Sequence, residues 1–109
     1  MAKVRYSKAA IGDLEQIGDY IADELKNPTA AMNAVNRIQD SIYKLKDMPR
    51  IGAPLSVSFD NARFYRFLVC GNYLAFYREE ENVVFIDRIL YKKRDYLKIL
   101  FGEFPEEEN

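Results

Sequence analysis

Polar and apolar residues alternate at the start of the chain, where Val4 and Tyr6 stand among Lys3 and Arg5; this two-residue period predicts a short half-buried strand. Ser7 then opens a run in which Ala10, Ile11, Leu14, Ile17, Ile21 and Leu25 recur at steps of three and four. Asp13, Glu15, Asp19, Asp23 and Glu24 mostly fall off that stripe, so the segment reads as an amphipathic helix. Asn27-Pro28 stops it and begins another, with Asn27 or Thr29 as the cap and proline tolerated in the first turn. Ala31, Val35, Ile38, Ile42 and Leu45 supply the second stripe. Two stripes joined by so short a link predict an antiparallel helical hairpin with one common apolar surface.

After Met48-Pro49 the periodicity lapses, and PRIGAPLSVSFDNA reads as a loop. Three aromatic and β-branched runs follow, RFYRFLVC, YLAFYREE and VVFIDRIL, divided by Gly71-Asn72 and by a loop around Glu81-Asn82. They predict an antiparallel meander. A two-residue turn at Gly71-Asn72 places Cys70 opposite Tyr73, Leu68 opposite Ala75 and Arg66 opposite Tyr77. One face then carries Phe67, Val69, Leu74 and Phe76. The other carries Arg66, Tyr73, Tyr77 and, if the second loop has an even number of residues, Arg88. Beyond Leu90 the spacing of Tyr91, Tyr96/Leu97 and Leu100/Phe101 becomes helical, with Gly102 as the stop. The expected fold is α+β, in the order β-α-α-β-β-β with a short C-terminal helix and the helical hairpin on a mainly antiparallel sheet. Residues 1–102 form one domain in this reading, and 103–109 are an acidic flexible tail.

Composition narrows the chemistry. The 109 residues include no histidine, which removes the commonest general base and transition-metal ligand, and a lone Cys70 in an apolar stretch reads as a small buried hydrophobe. No metal or cofactor is expected. No apolar run is long enough to span a bilayer and the N-terminus lacks a signal-peptide core, so the cytoplasm is the expected location. The net charge of −1 argues against a protein that coats nucleic acid throughout. Its distribution is uneven: residues 63–98 hold eight basic and five acidic side chains, while Glu103, Glu106, Glu107 and Glu108 make the tail acidic.

The basic residues concentrate near the end of the last strand. Arg88, Tyr91, Lys92, Lys93 and Arg94 fall within seven residues; Arg63, Arg66 and Arg78 come from the other strands, with Tyr65, Tyr73 and Tyr77 between them. Guanidinium forks hold phosphate at two points, and phenolic rings offer a stacking face to unpaired bases, so the mixture suits RNA or an acidic protein. An ordinary solvated sheet surface accounts for the same residues equally well.

The order strand, helical hairpin, meander, with YLAFYR followed by IDRILYKKRDYLKIL, resembles the RelE/ParE family of bacterial type II toxins from Val4 to Phe101. The resemblance implies a growth inhibitor neutralised by a cognate antitoxin. It also implies one of two targets, DNA gyrase for the ParE type or the mRNA on the ribosome for the RelE type; a third reading is an inactive relative that only binds. In the RelE type basic residues hold the scissile phosphate while the ribose 2′-hydroxyl attacks. On that reading Arg66, Arg88, Tyr91 and Arg94 are the candidate catalytic residues. Arg63, Tyr65, Tyr73, Tyr77, Arg78, Lys92 and Lys93 are the candidate partner- or RNA-binding ones. The RelE-type strand carries an arginine where this chain has Leu74, and RILYKKRD is closer to the ParE type, which makes gyrase the expected target.

Overall fold

The computed structural model describes residues 1–55 and 65–102. The elements are β1 (Lys3–Tyr6), α1 (Lys8–Leu25), α2 (Pro28–Tyr43) with a 3-10 turn at Lys44–Lys46, β2 (Ala53–Pro54), β3 (Arg66–Cys70), β4 (Tyr73–Glu80), β5 (Val83–Tyr91) and α3 (Tyr96–Phe101). Arg63 and the acidic tail lie outside the described residues. Among the described residues, no helix is long and apolar enough to cross a membrane.

Local chemistry sets the boundaries. The Ser7 hydroxyl accepts the Ala10 N–H and caps α1, and the Asn27 side chain accepts the Ala30 N–H and caps α2, whose first turn takes Pro28. Gly102, at a φ of 75°, closes α3 from the left-handed region. The sheet order is β1-β5-β4-β3-β2, with β1 parallel to β5 and the other pairs antiparallel. β2, a two-residue strand inside the expected loop, pairs through Ala53 with Phe67 and through Pro54 with Arg66; proline is tolerated there because β2 is an edge strand.

The expected register of the first hairpin is present: Cys70 faces Tyr73, Leu68 faces Ala75 and Arg66 faces Tyr77. The second hairpin also turns on two residues, Glu81 and Asn82, both at positive φ. Even so, Arg88 does not join the face of Tyr73 and Tyr77. A β-bulge inserts between Phe76/Arg88 and Tyr77/Ile86, leaving Asp87 without a ladder partner and setting Arg88 opposite Phe76. One extra residue in one strand reverses the parity of everything beyond it.

Two apolar clusters result. Ala10, Leu14, Ile17, Ile38, Ile42 and Leu45 from the helices meet Ala75, Tyr77, Val84, Ile86 and Ile89 from the sheet. Leu55, Phe76 and Leu90 form a smaller cluster with Tyr65, Phe67, Leu74, Tyr96, Ile99 and Phe101, in which the Phe76 and Tyr96 rings stack at 5.1 Å. The α1 stripe is narrower than expected, since Ile11 and Leu25 are exposed while Asp13 is buried. Cys70 belongs to the first cluster, and burial pushes its thiol up to about 11. We expect it to stay unmodified by a thiol reagent at pH 8 in the folded protein and to react at once in denaturant. Equal rates in the two states would refute its burial.

Candidate functional site at the end of the last strand

The basic and phenolic residues singled out by the sequence divide into two sets. The first is turned inward. Arg88 donates from Nε and Nη2 to the two oxygens of Asp13, each at 2.8 Å, and the same carboxylate accepts the Ile89 N–H at 2.8 Å. β1 ends at Tyr6, so α1, not a strand, covers this stretch of β5, and Asp13 satisfies the backbone donor left there. Asp13 is 6% exposed, and its bond to Arg88 raises the arginine pKa further.

Arg66 donates to the carbonyl oxygens of Gly52, at 2.7 Å, and Arg50. Tyr77 is fully buried and its hydroxyl accepts the Gly52 N–H at 2.9 Å, which removes it from any partner-facing surface. Arg78 lies over the Phe85 ring, pairs with Glu80 and donates to Asp87 at 3.2 Å. Tyr65 donates its hydroxyl to the same Asp87 oxygen at 2.5 Å and meets Phe101 edge to face. The bulge thus presents Asp87 as an internal counterion for residues expected to face a ligand.

Burial first, and the bond to Asp87 second, push the Tyr65 hydroxyl up to about 12. The unfolded chain loses that proton near pH 10, so this group's contribution to stability is complete below pH 10 and is lost as the pH rises toward 12. Melting temperature measured between pH 9 and 12 should fall in that window, with a gentler slope in Tyr65→Phe. An unchanged slope would exclude Tyr65 as a source.

The second set lies at the surface, with Tyr73 half-buried against the larger apolar cluster. Tyr91 is 40% exposed and meets Tyr73 edge to face at 5.8 Å; Tyr20 of α1 and Tyr91 both lie close enough to Tyr73 to reinforce the rise in its pKa, whose main cause is burial. The chain then turns tightly, Lys92 N–H donating to Asn72 and Arg94 N–H to Tyr91, before Asp95 caps α3. Lys92, Lys93 and Arg94 are exposed on this turn, and none has an ion pair among the described residues. Tyr73 lies four residues before Tyr77 on β4, about 13 Å along the strand, so the outward set is separate from Arg66 and Arg78. Among the described residues, which leave out Arg63, the expected convergence of these cations on one patch does not occur. Three cations and three phenols gather at this end, while Arg66, Arg78 and Arg88 are consumed by the fold. Asp13 was the counterion to find: it stands three residues after Ala10 and four before Ile17, a carboxylate set on the buried stripe. Tyr20 carried no comparable signal.

Comparison with known proteins agrees with this architecture. No curated protein sequence matches. Among solved structures, the chromosomal ParDE toxin–antitoxin system from P. aeruginosa superposes with a TM-score of 0.70 at 24% identity, over 84% of this chain and 96% of that one. The toxin–antitoxin complex RelBE2 from Mycobacterium tuberculosis follows at 0.58 and 20% identity, over 83% and 96% of the two chains. The E. coli DinJ-YafQ complex gives 0.55 at 15% identity, over 94% and 100%. The family model for the ParE toxin of the type II toxin–antitoxin system parDE matches residues 4–96, which take in everything from β1 to the start of α3. The chain belongs to the ParE toxin family of type II toxin–antitoxin systems.

Proposed function

We propose that the protein is a growth-inhibiting toxin that acts by binding, with DNA gyrase as its target, and that a cognate antitoxin neutralises it. The observation that carries this reading is the intramolecular engagement of Arg66, Arg78 and Arg88. A catalyst of phosphodiester cleavage without metal needs cations preorganised around one phosphate. Here Arg88 commits Nε and Nη2 to Asp13, and Leu74 packs in the smaller apolar cluster where RelE-type strands carry arginine. What is left for a target is the outward set, Tyr73, Tyr91, Lys92, Lys93 and Arg94, which suits recognition of an anionic surface. The antitoxin partner is supported by the solved structures matched, each being a toxin–antitoxin pair or system.

Purified protein should block supercoiling by gyrase, and Lys92→Glu/Arg94→Glu should relieve the block while leaving the melting temperature unchanged. Unaltered supercoiling at molar excess would dismiss gyrase. The exposed Tyr91 among unpaired cations favours a second reading, ribosome-dependent mRNA cleavage. Primer extension on translated message distinguishes the two: cuts at codon positions that vanish in Tyr91→Phe would establish the nuclease. Growth arrest with intact message and normal supercoiling would point to another target, and harmless expression to a module that only binds.

A further inference from the structure

We propose that the acidic segment after α3 folds back onto the turn between β5 and α3, shields Lys92, Lys93 and Arg94, and is displaced when an anionic target binds. The turn is a fixed platform: Lys92 N–H donates to the Asn72 carbonyl oxygen at 2.9 Å, Arg94 N–H to that of Tyr91 at 2.8 Å, and Tyr96 N–H to that of Arg94 at 2.9 Å. Its three cations are exposed in consecutive positions and have no ion pair among the described residues. The neighbours supply phenols and a backbone carbonyl: Tyr73 and Tyr91 meet here, Tyr20 lies near Tyr73, and Asn72 takes the Lys92 N–H. Asp95, the one carboxylate within the turn, is spent on the cap of α3, where it accepts the Lys98 N–H. Adjacent like charges repel one another, and a tethered acid relieves that repulsion.

The chain carries the matching charge at the right distance. Glu103, Glu106, Glu107 and Glu108 follow α3 directly, four carboxylates with no base among them. Because α3 has six residues, it spans only about 9 Å from the turn to its end. Gly102, at a φ of 75°, takes the chain off the helix axis, and Pro105 resists any extension of the helix. Glu106 stands four residues beyond Gly102 and so reaches roughly 13 Å, enough to come back to Arg94. Phe104 is the aromatic member of the segment, and the exposed Tyr91 ring offers it a face. Tethered so closely, the carboxylates act at an effective concentration on the order of millimolar. Exposed pairs of this kind are individually weak, so a larger anionic surface displaces them.

For the identity of the target this inference rests on the gyrase reading above; for the contact it rests on the turn and the charge that follows it. The test neutralises the segment without shortening it, in Glu103→Gln/Glu106→Gln/Glu107→Gln/Glu108→Gln. A second variant, Glu15→Gln/Asp19→Asn/Asp40→Asn/Asp47→Asn, removes as much charge from exposed positions elsewhere. In isotope-labelled protein the amide resonances of Lys92, Lys93 and Arg94 should move in the first variant and stay in place in the second. Salt at about 0.5 M should carry the wild type to the first variant's positions. Inorganic triphosphate should bind the first variant about fivefold more tightly than wild type at low salt. Unmoved amides or an unchanged triphosphate affinity overturn the proposal; so do equal effects of the two variants, because net charge alone then accounts for them. Gyrase separates the two readings. The first variant should block supercoiling at about one fifth of the wild-type concentration. Equal potency overturns the shielding and leaves gyrase as the target. If neither protein blocks supercoiling while the amides and the triphosphate respond as expected, the gyrase reading falls and the shielding stands.

Discussion

Replacing Asp13 with alanine should lower stability by about 3 kcal/mol, one of the two largest losses expected from a single substitution in this protein. The carboxylate is buried and serves three donors, Nε and Nη2 of Arg88 and the Ile89 N–H. Its removal leaves a half-buried guanidinium and a backbone donor without a partner, and unmet buried donors cost more than the bonds contribute when made. The Arg88 side chain keeps 29% of its exposure, so water recovers part of the loss; this is why the expected figure is at the low end for a broken buried pair. In a domain of this size, 3 kcal/mol lowers the melting temperature by roughly 12 to 24 °C. Arg88→Ala strands the carboxylate instead and should also destabilise. Asp13→Leu/Arg88→Met removes both charges and should cost clearly less than the two single changes together. Additive losses in that cycle would show that the pair is not a coupled unit. The functional consequence is specific: if Arg88 serves the fold, Arg88→Ala should lose toxicity only in proportion to its loss of folded protein. A stably folded Arg88→Ala without activity would return the residue to the candidate site.

This pair also marks the limit of what the sequence makes legible. Hairpin register follows from local rules, because Gly71-Asn72 and Glu81-Asn82 are turn formers between runs of fixed period; Cys70, Leu68 and Arg66 accordingly meet the partners expected. Helix limits follow from Ser7, Asn27-Pro28 and Gly102 for similar reasons. The bulge at Asp87 has no glycine or other turn former to announce it, although the alternation breaks there, two apolar residues (Phe85, Ile86) being followed by two polar ones (Asp87, Arg88). It arises where β1 stops and α1 takes over the flank of β5, with the Ser7 hydroxyl donating to the Asp87 carbonyl oxygen at 2.8 Å. Contacts 75 to 80 residues apart decide whether Arg88 faces a ligand or Asp13. The clustering of basic residues in sequence was therefore real, while among the described residues their clustering in space holds only for Lys92, Lys93 and Arg94, which share one turn. Tyr65, Phe67, Leu74 and Phe76 are largely spent on seating α3.

Gly52→Ala should cost about 3 kcal/mol, because the chain passes between a buried ring and a neighbouring strand with no space for a methyl group. A Cβ there would stand 2.6 Å from the Tyr77 hydroxyl oxygen, 2.8 Å from its ring and 2.7 Å from the Phe67 carbonyl oxygen. None of these yields easily. Tyr77 is fully buried, and Phe67 belongs to the β3 pairing that sets the hairpin register. The glycine is also held through its own backbone, donating to the Tyr77 hydroxyl and accepting from Arg66. Relief of the clash must break one of these bonds or part β2 from β3. Tyr77→Phe isolates the hydrogen bond from the steric term and should cost about 1 to 2 kcal/mol, since it leaves the Gly52 N–H unmatched. Gly12→Ala is the control: nothing lies within 4 Å of a Cβ on that helical glycine, so the change should raise stability by up to about 1 kcal/mol. Denaturant midpoints for the three variants test the ordering. A Gly52→Ala protein as stable as Gly12→Ala would mean that the segment before β2 moves freely. Arg66 would then have no fixed carbonyl to bind and would rejoin the cations available to a target.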